Sequence, residues 1–123
     1  MRPPRPEFAQ FPHFTAACWN IALRSALYEL AFVNLGSSGG AMTLCWFNPK
    51  IRYVMCKILV EGVPQASASF VAERGYRIGA QPPFCGPFQK WVWEPDDPPV
   101  IAREFAAMAA ALQNRPTYLR GPQ

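Results

Sequence analysis

Residues 41–60, AMTLCWFNPKIRYVMCKILV, decide how the rest of the chain is read. Two apolar runs, Ala41–Phe47 and Ile51–Val60, flank Asn48-Pro49. The second run is rich in β-branched and aromatic residues and, after Arg52, is apolar on both faces apart from Lys57. That pattern belongs to a central strand covered from both sides. Asn48-Pro49 is a turn signal, so the first run reads as a strand folding back onto the second. On a two-residue turn Phe47 faces Lys50, which sets Cys45 opposite Arg52 and argues against a Cys45–Cys56 bridge.

Downstream, Glu61-Gly62-Val63-Pro64 turns the chain into Ala66–Glu73, where small and polar residues alternate around Phe70 and Val71. Gly75 turns it again, and Gln89–Glu94 supplies a last strand; Tyr76–Ile78 fits a further short one. Every connection except residues 75–88 is too short for a parallel crossover, so an antiparallel sheet is expected.

Upstream, Thr15 is an acceptable N-cap and Gly36-Ser37-Ser38-Gly39-Gly40 a stop, which predicts one long helix between them. Trp19, Leu23, Ala26, Leu30 and Val33 fall on one side of it; Cys18, Ile21, Tyr28, Phe32 and Leu35 fall on the other. A helix apolar on two faces needs cover on both. Asn20, Arg24, Ser25 and Glu29 interrupt it too often for a membrane span. At the other end, Asp96-Asp97-Pro98-Pro99 opens a second helix, with Ile101, Phe105, Met108 and Leu112 as its stripe and Asn114-Arg115-Pro116 as its stop. The fold expected is α+β: an antiparallel β-meander of about four strands with an N-terminal and a C-terminal helix. Residues 1–12 read as a Pro-rich extended arm, 13–116 as a single domain, and 117–123 as a flexible tail.

At 123 residues, half of them apolar, the chain is long enough for a core without disulfides or metals. A net charge of +4 permits an anionic partner without requiring one. Cys18, Cys45, Cys56 and Cys85 have no metal-ligand spacing, and His13 is the sole histidine, so neither a metal nor a cofactor is expected. Free thiols and no secretory signal place the chain in the cytoplasm.

No catalytic constellation stands out. Cys85-Gly86-Pro87 shares three positions with the thioredoxin-type CGPC redox motif, but Phe88 replaces the resolving cysteine. Cys85 paired with His13 would still lack an orienting group and an oxyanion site. Asp96 and Asp97 serve as helix caps, and the glycine-serine run lacks the Lys-Ser/Thr of a phosphate loop.

Binding explains the remaining features better. Pro82, Pro83 and Pro87 stiffen a loop that carries Phe84 and Phe88 into Lys90, Trp91 and Trp93. With Tyr76 and Arg77, these residues form the expected docking site for another protein. Tyr28, Phe32 and Leu35 form the expected homodimer contact, and a binding role of inhibitor, adaptor or assembly-factor type follows, one that suits a phage or mobile-element product. The alternative is nucleic acid held on an open sheet face, with Arg52, Tyr53, Arg74, Tyr76, Arg77, Lys90 and Trp91 interleaving cations and rings. A small enzyme is the third reading.

Overall fold

The computed structural model describes residues 5–114. Among these residues, four helices surround a three-stranded parallel sheet in the order β1-β2-β3. The elements run α1 (Ile21–Leu30), β1 (Asn34–Ser37), α2 (Gly40–Trp46), β2 (Tyr53–Cys56), α3 (Ala68–Glu73), β3 (Gln89–Trp91) and α4 (Pro98–Gln113). Leu35 pairs with Val54 on one side of β2, and Met55 pairs with Trp91 on the other. The expected antiparallel meander of four strands is therefore wrong.

The error starts at AMTLCWF, which is α2 and not a strand. A strand would align Met42, Leu44 and Trp46, whereas a helix aligns Met42, Cys45 and Trp46. Seven residues do not separate the two periods, and Ala, Met and Leu favour the helix. The strand on that side of β2 is Asn34–Ser37, which the sequence reading splits between a helix end and a linker. Gly36 fits there for a steric reason: a Cβ at this position would lie 2.5 Å from Met42 Sδ, so α2 packs directly on the β1 backbone. With α2 as the β1–β2 connection, the chain has the crossover that parallel strands need.

The long N-terminal helix is also interrupted. Thr15–Cys18 forms a 3-10 turn, and Asn20 then caps α1 by accepting the Leu23 N–H at 3.1 Å. Arg24 ties the two pieces together through the carbonyls of Ala17 and Cys18, at 2.8 and 2.9 Å. At the far end Asn34 Nδ2 donates to the Tyr28 and Arg52 carbonyls at 2.9 and 3.0 Å. One side chain thus ends α1 and ties it to the residue before β2.

Ala68–Glu73, expected as a strand, is α3. Ser67 caps it by accepting the Phe70 N–H at 3.2 Å. Tyr76–Ile78 forms no strand, and the last strand is three residues long. The C-terminal helix begins and ends where its caps predict: Asp97 is its N-cap residue and Asn114 its C-cap. The expected tail at 117–123 lies outside the described residues, as do positions 1–4 of the arm, whose remainder makes a 3-10 turn at Pro6–Phe8.

Both faces of the sheet are covered, as parallel sheets require. Tyr53, Met55 and Trp91 pack with Met42 and Cys45 of α2, together with Ile51 and Ile58. On the opposite face Val54, Cys56 and Val92 pack with Met108 and Leu112 of α4. All four β2 residues are buried and β2 is the middle strand, but it covers only Tyr53–Cys56 of the expected Ile51–Val60. The inward face of α4 carries a residue the apolar stripe did not include. Glu104 is buried, with its carboxylate 2.7 Å from Lys90 Nζ and 2.9 Å from Arg103 Nη2.

Candidate functional site

The structure gathers most of the expected docking residues into a single cluster packed on the core, with a buried centre and half-buried outer rings. Trp91 is its buried centre, with ring centroids of Tyr76, Trp46, Trp93 and Phe84 at 5.1, 5.3, 5.8 and 6.0 Å. Phe84 also meets Phe47 at 4.8 Å. Pro82 is buried, and Phe88 packs on the opposite side of the sheet with the α4 cluster. The 82–88 loop thus folds down onto its own core through both phenylalanines, and it is not the free docking loop expected. Trp46 and Phe47 were missed because their run was assigned to a strand.

Two glutamines hold this region in place. Gln89 is buried; its amide donates to the Asn48 and Ile51 carbonyls, both at 2.8 Å, and accepts the Gly86 N–H at 3.0 Å. The loops entering β2 and β3 are thereby joined. Gln81 makes a similar pair of bonds to the backbone of Trp91.

Cys85 does not have the surroundings of a nucleophile. Burial raises its thiol pKa, and the hydrogen bond with Tyr53 Oη at 3.4 Å offsets this only in part. Tyr53 also accepts the Trp91 indole N–H at 3.2 Å, and burial pushes its own phenol far up. His13 bonds the Phe8 carbonyl at 2.9 Å.

The open sheet face needed for a nucleic-acid platform is absent, because α2 and α4 cover the two sides. Tyr53 and Trp91 are core residues, Lys90 pairs with Glu104, and Arg52 lies over the Phe32 ring at 5.7 Å. Arg77 is exposed on the turn after Tyr76.

A cleft of about 160 Å³ opens at the carboxyl edge of the sheet. Ser38 follows β1, Ile58 lies just past β2, and Trp91 ends β3, while Phe70, Val71 and Arg74 come from α3 and its C-cap. Trp46, Tyr76 and Trp91 make its aromatic wall. Ligands of open parallel sheets sit at this end of the strands.

A second feature is the apolar surface of residues 8–35. Among the described residues, ten of the fourteen large apolar side chains that are exposed lie in this stretch. Leu30 is 82% exposed and Trp19 70%, and Phe8, Phe11, Phe14 and Ile21 are each at least half open. Of the expected dimer residues, Phe32 and Leu35 belong to this surface, on the link after α1 and on β1. Tyr28 turns inward, its hydroxyl donating to the Ala41 carbonyl at 3.0 Å. None of the described helices is long and apolar enough to cross a membrane.

Comparison with family models, with curated proteins and with solved structures gave no match to this chain.

Proposed function

We propose that this chain works by binding another protein, not by catalysis, and that the partner docks on the apolar surface of residues 8–35. The observation that carries this reading is the concentration of exposed apolar side chains in that stretch. Phe8, Phe11, Phe14, Trp19 and Phe32 are each about half exposed or more. At about 150–250 Å² per aromatic side chain, they alone leave roughly 500 Å² of ring surface in water. Exposed apolar surface on that scale, where it is contiguous, commonly marks interaction sites, and a standard interface takes about 800 Å² per partner. Covering a large apolar side chain gains about 1.5–3 kcal/mol, so a few anchors here suffice for stable association.

Homodimerisation through Phe32 and Leu35 is the special case in which the partner is a second copy. A reducing, cytoplasmic setting fits the four free cysteines.

The test is the double substitution Trp19→Ser with Leu30→Ser. Its unfolding free energy should stay within about 1 kcal/mol of the unmodified chain, since surface changes usually fall within ~0.5 each. Association, followed by light scattering and by native co-purification from source cells, should be lost. Unfolding of the variant would overturn the reading, because these side chains would then be structural. So would unchanged association.

A further inference from the structure

We infer that the cleft at the carboxyl edge of the sheet binds the C-terminal residue of a partner chain: an apolar side chain in the aromatic pocket, and its carboxylate on Arg74. The inference goes beyond the docking surface of residues 8–35 and is tested separately from it.

Size comes first. A cleft of about 160 Å³ is small beside the roughly 300–1,000 Å³ of sites for drug-sized ligands and cofactors. One amino-acid side chain is the natural occupant. The wall chemistry agrees, since Trp46, Ile58, Phe70, Val71, Tyr76 and Trp91 contribute most of the lining.

Charge comes second. Arg74 is held with its guanidinium carbon 4.7 Å from the centre of the Phe70 ring, and both residues line the cleft. Among the described residues it forms no ion pair, unlike Lys90 and Arg103. A guanidinium stacked by its face on a ring can still donate two parallel hydrogen bonds from its edge to a carboxylate. Ser38 and Gln65 add polar groups to the same lining.

Among the groups that a protein partner offers, the two requirements select its chain end. An internal acidic residue carries its carboxylate on a different Cα from the apolar anchor. A C-terminal residue carries the side chain and the carboxylate on one Cα, as a one-residue cleft with a cation in its wall demands.

The experiment uses N-acetyl-L-leucine and N-acetyl-L-phenylalanine as probes, each compared with its neutral carboxamide. Binding is read from the indole N–H signals in nitrogen–proton correlation spectra of the full chain. The acids should shift the Trp46 and Trp91 signals in the millimolar range and leave that of Trp19 in place. The carboxamides should bind at least tenfold more weakly, and Arg74→Gln should reduce the acids to the level of the amides. Equal binding of acid and amide would overturn the assignment, as would shifts at Trp19 alone or none at all. The amide comparison is made on the unmodified chain, so the result does not depend on the variant's folding.

Discussion

The side-chain amide of Gln81 accepts a hydrogen bond from the Trp91 N–H at 2.7 Å and donates one to the Trp91 carbonyl at 2.8 Å. Trp91 ends β3, an edge strand with β2 on one side only. Unpaired edge groups invite pairing with other chains, and Gln81 closes part of this edge as a neighbouring strand would. It also fixes the backbone of the residue at the centre of the aromatic cluster.

Gln81→Leu should remove both bonds and leave two backbone groups short of partners. The expected cost is about 1–3 kcal/mol, read from urea unfolding, with faster hydrogen exchange at the Trp91 amide. An unchanged exchange rate there would show that the pair does not hold the edge.

Gly36→Ala tests the packing of α2 on β1. The new methyl would meet Met42 Sδ at 2.5 Å and Cγ at 2.9 Å, and Met42 is buried. Overpacking of this kind costs about 1–3 kcal/mol. Combining it with Met42→Ala should recover part of that cost, so the double-mutant cycle should show favourable coupling. Strictly additive effects would contradict the packing.

The thiols should react in the order of their surroundings. Cys18 is exposed and should be modified first, and half-buried Cys85 more slowly. Cys45 is fully buried, and burial pushes its thiol up to about 11, so at pH 8 it should wait for unfolding. Cys56 is buried too, and burial, with the charges of Asp96 and Glu104, raises its thiol. Denatured, unreduced protein should yield four thiols; fewer would mean a disulfide.

Glu104 makes stability depend on pH. Burial raises its carboxyl pKa, but the hydrogen bonds and charges of Lys90 and Arg103 outweigh this and hold it below the ordinary value. With the folded value depressed, the unfolded chain takes up the proton more readily. The contribution is therefore complete above the ordinary glutamate range and is lost as pH falls through the folded value. Lys90 is 44% exposed, which weakens the pair. Glu104→Gln should cost about 1 kcal/mol at pH 7, and the gap should close in acid. Urea unfolding across a pH series checks this, and a pH-independent gap would contradict it.

What the sequence revealed follows from the range of each signal. Asp97, Pro98 and Asn114 marked both ends of α4 because backbone preferences at helix ends are local, although Asp97 makes no side-chain cap bond. The burial of β2 was legible because its run is apolar on both faces. The direction of its partners was not, since β1 spans four residues, NLGS, that look like a linker. Gly36 is needed against Met42 of α2, but alone in sequence it reads as a flexible hinge. Tyr76, Phe84, Trp91 and Trp93 were rightly grouped, but ring composition does not say whether a cluster faces inward. Gln81 and Glu104 had no signal at all, as each acts only through a strand brought beside it by the fold. Lys90 was visible as a cation, without its buried partner.

If residues 8–35 meet another protein, a photo-crosslinker placed within them should capture it. A benzophenone amino acid would replace Leu30, which points into solvent, and in a control chain Arg103, exposed on α4. Both chains would be irradiated in the source cells. A discrete crosslinked species is expected from position 30 and none from position 103, with a mass of two chains if the partner is a second copy. Irradiation that yields no adduct at position 30, or the same adducts from both positions, would contradict docking there.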